Sequence, residues 1–197
     1  MNDSMWSDIL GDDQKGLKSL YDQYFDNLYS FGCSFYSDQM LVEDCIQELF
    51  LSIWEKRHQL KKPDNIKGYL IMSLRNNILS KIKSKSKTQV QEIDERLMGG
   101  CEISIENKLI DSENTGERMQ KLAEASQNLK PRQKEILYLK FSQGLSYEEI
   151  SEIMDINYQS ARNLLHRTLI KLRTELMILF FLFSATFLST KSFINTL

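Results

Sequence analysis

Four polar side chains near the end of the chain have the spacing of one helix face. Arg162, Asn163, His166 and Arg167 fall at i, i+1, i+4 and i+5, and residues 157–174 contain four Arg or Lys and no acid. Arginine bonds guanine, and asparagine bonds adenine, through paired hydrogen bonds in the major groove of a duplex. The pattern favours a helix that reads base edges. The alternative is a solvated basic helix on an ordinary helical bundle.

The residues before this helix supply the rest of a helix-turn-helix. Ser146 followed by Glu149 is a capping box, and Asn157 is a suitable N-cap for the basic helix. Residues 155–157 form a three-residue turn between the two predicted helices. Two helices, a short turn and a basic second helix are typical of a helix-turn-helix that places its second helix in the major groove. The whole unit is predicted over residues 131–173.

Charge is distributed unevenly along the chain. The 197 residues have a net charge of only −2, yet residues 75–87 hold five Arg or Lys and no acid, and residues 88–128 hold nine acids. Two prolines, eight glycines and the lack of strand-like alternation predict a nearly all-helical protein. A helix predicted over residues 65–83 runs into the basic stretch, which indicates a second nucleic-acid surface. Its outward side carries Arg75, Asn76, Asn77, Lys81 and Lys83.

The first half of the chain predicts further helices. An aromatic stripe over residues 12–35 indicates a pair of core helices, and Ser37 or Asp38 caps a helix that runs to about Lys56. The outward face of that helix carries Asp44, Gln47, Glu48 and, beside them, Leu51. From chemistry alone this face is either a solvated acidic surface or a surface that docks another protein.

Catalytic and metal chemistry have little support. Cys33, Cys45 and Cys101 are isolated, with neither CxxC spacing nor histidine partners. The two histidines, His58 and His166, lie in different predicted domains. We therefore expect no catalytic residue, no metal site and no cofactor. The acidic N-terminus has no basic n-region, so no signal peptide is expected and the cytoplasm is the predicted location.

Two motifs carry a resemblance to a known family. Residues 42–50, VEDCIQELF, resemble the D-x-x-Q-E-x-F helix of extracytoplasmic-function sigma factors of the sigma-70 family, with Trp54 in its usual place. Residues 145–150, LSYEEI, followed by LHR at 165–167 and KLR at 171–173, resemble region 4 of that family. The resemblance implies an all-α fold with region 2 over 12–87, an acidic linker over 88–116 and region 4 over 117–175. An apolar C-terminal helical extension over 176–197 is predicted beyond the part that resembles the family.

The resemblance also implies a function. It predicts an alternative sigma factor that binds core RNA polymerase and directs promoter-specific transcription initiation. The core polymerase would be bound by Asp44, Gln47, Glu48 and Leu51. The −10 element would be bound by Arg75, Asn76, Asn77, Lys81 and Lys83. The −35 element would be bound by Lys140, Tyr147, Ser160, Arg162, Asn163, His166 and Arg167.

Partners and alternatives follow from the same assignment. Core RNA polymerase, promoter DNA and an anti-sigma factor are the expected partners. The alternative function is a self-standing helix-turn-helix transcription regulator, which would bind DNA without the polymerase. Such regulators usually carry a ligand or phospho-acceptor domain, and residues 1–87 have neither a Gly-rich phosphate loop nor an Asp-rich pocket.

The chain ends in an unexpected apolar stretch. Residues 176–188, LMILFFLFSATFL, are too few for a membrane span, which needs roughly 20 apolar residues. The stretch either extends the last helix and packs back on the protein, docks a partner, or touches a membrane surface. We expect packing within the chain or on a partner, not a membrane crossing.

Overall fold

The computed structural model describes residues 2–85 and 128–194, with side chains for residues 5–84 and 128–177. Every regular element within these ranges is a helix, which confirms the predicted all-α class. The predicted linker over 88–116 lies outside the described residues. The helices are α1 (Asn2–Leu10), α2 (Gln14–Phe35), α3 (Gln39–Lys56) with a 3₁₀ turn (Arg57–Gln59), α4 (Ile66–Lys85), α5 (Pro131–Leu137) with a π turn (Tyr138–Ser142), α6 (Tyr147–Met154) and α7 (Tyr158–Ile194).

Helix α2 is the central element of the N-terminal domain, which comprises α1–α4. The Asp13 side chain caps it by accepting a hydrogen bond from the Lys15 backbone N–H at 2.8 Å. The predicted pair of helices over 12–35 is wrong, because α2 is one continuous helix of 22 residues. Neither proline nor a central glycine interrupts it, so the backbone hydrogen bonds run through. Its inner side buries Leu20, Tyr24, Leu28, Phe31 and Phe35.

Helix α1 was not predicted from the sequence, because its acidic residues obscure a short apolar face. Trp6 and Ile9 are both 0% exposed. The edge of the Trp6 ring meets Tyr69 of α4 at a centroid distance of 5.8 Å and an interplanar angle of 87°. Fully burying each such side chain contributes about 1.5–3 kcal/mol. The N-terminal residues therefore belong to the core of this domain.

Helices α3 and α4 complete the N-terminal domain largely as predicted. Asp38 is the N-cap of α3, and its side chain accepts a hydrogen bond from the Leu41 backbone N–H at 3.1 Å. Asn65 holds the start of α4 by accepting from the Gly68 N–H at 3.2 Å. The inner sides of both helices are buried: Val42, Ile46, Leu49 and Ile53 on α3, and Ile66, Leu70, Leu74, Ile78 and Ile82 on α4.

The C-terminal domain, α5–α7, contains the predicted helix-turn-helix. Pro131 occupies the first turn of α5, where its missing N–H costs no hydrogen bond. Gly144 has a φ of 69°, a left-handed conformation that glycine adopts without steric cost, and it ends the π turn. Buried side chains join the three helices: Ile136, Leu139, Ile150, Ile153, Met154, Ala161 and Leu165.

Helix α7 is far longer than the helix-turn-helix requires. It has 37 residues and continues through the apolar stretch to Ile194. The predicted helical extension is therefore confirmed for the backbone. The side chains beyond Met177 lie outside the described residues, and with them what the apolar stretch contacts.

The close packing of α1 on α2 gives a first prediction. A Cβ atom at Gly16 would lie 2.7 Å from the Asp8 Cβ and 2.8 Å from the Met5 carbonyl oxygen. Because α1 must shift to admit it, Gly16→Ala should lower the free energy of unfolding by about 1–3 kcal/mol. Urea denaturation followed by tryptophan fluorescence measures this change.

Gly68→Ala is the matched control for the Gly16 substitution. A Cβ there would meet its nearest atom, in the Asn65 side chain, at an ordinary 3.6 Å. Alanine has the better helix propensity, so this variant should be as stable as the wild type or more so. A Gly16→Ala protein as stable as Gly68→Ala would contradict the proposed packing.

Candidate nucleic-acid interface

The turn of the helix-turn-helix fixes the direction of the basic helix. Asp155 adopts the left-handed conformation with a φ of 52° and a ψ of 55°, and it ends α6. The Asn157 side chain then caps α7, accepting a hydrogen bond from the Ser160 backbone N–H at 2.7 Å. Ala161 and Leu165 are buried against the domain core. The opposite side of α7 is therefore turned to solvent.

That opposite side is the reading face, and all of its side chains are exposed. The Arg162 guanidinium lies 5.9 Å from the centre of the Tyr158 ring. The Asn163 side chain accepts a long hydrogen bond of 3.4 Å from Gln159. Neither contact buries the guanidinium or the amide, so both groups are open to solvent. The reading face consists of Ser160, Arg162, Asn163, His166 and Arg167.

Lys140 and Tyr147 lie beside the reading face but engage each other. The Lys140 ammonium donates to the Leu145 carbonyl at 3.0 Å and lies 4.7 Å from the centre of the Tyr147 ring. The Tyr147 ring also meets Tyr158 edge-on at 5.9 Å. These contacts brace the loop before α6 against the start of α7. Both side chains are half-buried.

A second exposed surface runs along α3. The docking face consists of Asp44, Gln47, Glu48 and Leu51, all exposed. Leu51 is 60% exposed, and Met40, one turn before Asp44, is 79% exposed. Sequence reasoning missed Met40, although its spacing of four residues from Asp44 was available as a signal. The face therefore combines carboxylates with apolar side chains that contact water, an arrangement typical of protein-binding surfaces.

The α4 face lies directly beside the docking face. It consists of Asn76, Asn77, Lys81 and Lys83, of which Asn76 and Lys83 are exposed and the other two are half-buried. The Lys81 ammonium contacts the Glu48 carboxylate at 2.8 Å. This hydrogen bond raises the pKa of Lys81 above its ordinary value. One ion pair thus links the two faces.

Arg75 differs from the other four residues predicted on this helix. It is 8% exposed. Its Nε donates to an oxygen of the Glu135 carboxylate on α5 at 2.6 Å, and Glu135 is 3% exposed. The Phe35 ring centre lies 5.5 Å from the guanidinium. Arg75 therefore forms a buried ion pair between the two domains instead of facing solvent.

Further contacts surround this ion pair. One is apolar, between the Phe31 and Tyr138 rings at a centroid distance of 5.9 Å, and the others are polar. The Gln143 side chain accepts a hydrogen bond from Asn27 at 3.0 Å, and its carbonyl accepts one from the Lys67 ammonium at 2.7 Å. Ser30 and Tyr138 join their hydroxyl groups at 3.3 Å. These partners are 76 to 116 residues apart in the sequence, so no local pattern indicates them.

Asn65 and Glu149 connect the interdomain contact to the capping box of α6. The Asn65 amide donates to one Glu149 carboxylate oxygen. The other oxygen accepts from the Ser146 backbone N–H at 2.7 Å. Burial raises the pKa of Glu149, but these hydrogen bonds outweigh burial and hold it below the ordinary value. The ionised carboxylate therefore serves both the helix start and the domain interface.

Among the described side chains, no three His, Cys, Asp or Glu residues come close enough together to hold a metal ion. In the same part of the chain, no helix combines the length and the apolar character that a membrane crossing requires.

A helix-turn-helix with an exposed basic face, joined to a second helical domain, defines a helical DNA-binding protein. Comparisons with known proteins narrow this class. Residues 20–88 match the family model "Sigma-70 region 2", and residues 119–172 match "Sigma-70, region 4". The chain belongs to the sigma-70 family, in its extracytoplasmic-function class. It is an alternative sigma factor that directs transcription initiation. Sigma factors are regulatory subunits of RNA polymerase.

Individual relatives cover most of the chain. The ECF RNA polymerase sigma factor SigM of Bacillus subtilis (strain 168) is 26% identical over 151 residues, which is 77% of this chain and 89% of SigM. The RNA polymerase sigma factor SigZ of the same organism is 25% identical over 152 residues, which is 77% of this chain and 81% of SigZ.

Two solved structures share the fold. The sigma factor RpoE of Bartonella quintana, solved in complex with the anti-sigma factor NepR, has a TM-score of 0.58 and 20% identity, covering 83% of this chain and 98% of RpoE. CnrH, solved in complex with the cytosolic domain of CnrY, has a TM-score of 0.58 and 14% identity, covering 88% of this chain and 96% of CnrH.

The pKa of Glu149 gives a prediction for pH dependence. Its pKa in the folded protein is lower than the ordinary 4.5, so its stabilising contribution is complete above that value and is lost as the pH falls through the folded pKa. Glu149→Gln should therefore flatten the loss of stability on acidification, measured as urea midpoints by helical circular dichroism. Glu148→Gln, the same change at an exposed neighbour, should retain the wild-type slope. An unchanged slope in Glu149→Gln would contradict this role.

Proposed function

We propose that three faces of the chain divide the work of promoter recognition. The docking face on α3 binds core RNA polymerase, the α4 face with Arg75 binds the −10 element, and the reading face on α7 binds the −35 element, with Lys140 and Tyr147 beside it. The observation that carries this proposal is the adjacency of the first two faces through the Glu48–Lys81 ion pair. The −10 element would be held directly beside the polymerase contact.

The docking face suits a partner protein better than water. Met40 and Leu51 expose apolar surface on both sides of the carboxylates of Asp44 and Glu48. Burying that apolar surface at an interface is favourable, and the carboxylates provide charge complementarity to a basic partner surface. The face lies on a helix whose opposite side is fully packed, so it is presented rigidly. These properties support its assignment to core polymerase.

The two nucleic-acid faces suit different forms of DNA. The reading face is a narrow basic stripe on one helix, which fits the major groove of a closed duplex. The α4 face combines two amides with two lysines. An opened strand is held by backbone charge together with contacts to exposed bases, and this mixture supplies both.

The domain division, partners and location are part of the same proposal. Region 2 occupies 12–87 with α1 packed on it, 88–116 forms the linker, region 4 occupies 117–175, and 176–197 is the apolar extension. The chain acts as a non-enzymatic subunit in the cytoplasm, where core polymerase and DNA are present. RpoE and CnrH were each solved with a partner, NepR being an anti-sigma factor. An anti-sigma factor is therefore also a proposed partner of this chain.

In-vitro transcription with core polymerase and a library of random promoters tests the proposal. The chain should be required for transcripts from a defined subset of promoters. Asp44→Ala should abolish most of this stimulation and weaken core binding. The matched control is Glu43→Ala, which removes an exposed carboxylate from the adjacent position of α3 and should leave both activities intact. Promoter binding by the chain alone, with no effect on core polymerase, would favour a self-standing regulator instead.

Arg167 provides a test of sequence reading. If its exposed guanidinium makes a paired hydrogen bond to a base, Arg167→Ala should weaken binding to the selected −35 duplex by about 1–3 kcal/mol and relax specificity at one position. Fluorescence anisotropy on the selected duplex and on single-base variants measures both effects. Arg173→Ala, at an exposed arginine further along α7, should leave the specificity unchanged. An equal loss on every sequence would make Arg167 a phosphate contact.

A further inference from the structure

The interdomain contact withdraws one basic residue from a surface assigned to DNA. Arg75 is adjacent in sequence to Asn76 and Asn77 of the α4 face, but its guanidinium is buried against Glu135 of the C-terminal domain. We propose that Glu135 is an autoinhibitory residue: in the free chain its carboxylate occupies Arg75 in place of a DNA phosphate and holds the two domains closed. This inference rests on the proposed function of the α4 face.

The chemistry of the pair supports such a substitution. A carboxylate and a phosphate present similar oxygen acceptors, and the arginine guanidinium binds both through charge-assisted hydrogen bonds. Glu135 therefore accepts a hydrogen bond from Arg75 and neutralises its charge, as a phosphate of an opened strand would. DNA and Glu135 cannot bind the same N–H groups at once. Single-stranded DNA must compete with the C-terminal domain for Arg75.

The geometry of a promoter requires the closed arrangement to open. Elements named for positions −35 and −10 are about 25 base pairs apart by those names, which is about 85 Å of duplex at about 3.4 Å per base pair. Domains of this size have radii of gyration of only about 11 Å. In the closed chain the domains are in direct contact, with the Arg75 Nε and a Glu135 oxygen 2.6 Å apart. The closed chain therefore reaches one element at a time.

The composition of the interdomain contact suits a reversible interface. Around the buried pair, the contacts of Asn27, Lys67 and Gln143 are only partly buried, and the contact of Ser30 with Tyr138 is exposed. The Phe31 and Tyr138 rings add an apolar contact, with their centroids 5.9 Å apart. Mixed interfaces of this kind between domains of one chain allow relative domain motion. The buried pair itself works as a switch, because a buried charge that loses its partner is strongly unfavourable. Both charges are paired when the domains are closed, and both are hydrated when the domains are open.

The two DNA surfaces are affected unequally by closure. The reading face on α7 is fully exposed in the closed chain, whereas the α4 face lacks Arg75. Opening should therefore strengthen binding of single-stranded DNA and leave binding of duplex DNA unchanged. A gain in affinity for single-stranded DNA alone therefore indicates release of the Arg75–Glu135 pair. A general change in the charge of the protein would alter binding of both kinds of DNA.

The test uses the full-length free protein with two probes of mixed sequence, a single-stranded oligonucleotide and a duplex, in fluorescence anisotropy. Glu135→Gln should bind the single strand about tenfold more tightly, as expected for one recovered charge-assisted contact, and should bind the duplex as the wild type does. Small-angle X-ray scattering should report a larger radius of gyration. Glu152→Gln, the same change at an exposed residue of the same domain, should alter none of these quantities.

Two further variants keep the test decisive. Arg75→Gln combined with Glu135→Gln should open the chain without any gain in single-strand affinity, which would assign the gain to Arg75. Ser30→Glu places a bulky acid where Ser30 meets Tyr138. It should open the chain with the ion-pair residues intact and strengthen single-strand binding despite its added negative charge. Ser30→Glu provides the same test of the closed arrangement if Glu135→Gln does not fold.

Three results would overturn the inference. One is an unchanged radius of gyration in the folded variants Glu135→Gln and Ser30→Glu. Another is expansion without a gain in single-strand affinity, and the third is an equal gain on the duplex. None of these results contradicts the proposed function, because that function is tested by polymerase-dependent transcription with the wild-type chain.

Discussion

The arrangement of the two domains depends on one buried ion pair. Arg75 and Glu135 are 8% and 3% exposed, so neither charge has enough water around it to be stable alone. Each charge needs the other, and the pair joins α5 to α4 of the N-terminal domain. A buried pair of this kind adds little net stability compared with apolar residues, but losing one partner is costly. The ion pair therefore determines how the two domains are arranged more than it adds to the stability of the protein.

This constraint explains which functional surfaces are available in the free chain. The docking face and the reading face are both exposed while the domains are in contact, so the partners proposed for them have access. The α4 face is linked to the docking face through Glu48 and Lys81, and it loses Arg75 to the domain interface. Under the proposed function, the surface for the opened strand is incomplete until the domains separate. Binding to polymerase, which holds the domains on distant promoter elements, would supply the force for that separation.

Local chemistry made much of the fold predictable. The capping box of Ser146 and Glu149 and the caps at Asp38 and Asn157 are signals within a few residues, and the structure confirms them. Contacts over long sequence separations were not predictable. Glu135 lies 60 residues from Arg75, and from the sequence alone it is one acid among many. Helix α1 was missed because the sequence around Trp6 does not indicate that this side chain packs against Tyr69 of α4.

The distance between the two domains, before and after polymerase binds, tests the central claim most directly. Spin labels attached through noncanonical residues at Asp22 and Glu152, both exposed, report this distance by pulsed electron paramagnetic resonance. The free chain should give one short distance, and the chain on core polymerase should give a much longer one that approaches the span of a promoter. The same short distance in a complex that is active in transcription would contradict the account.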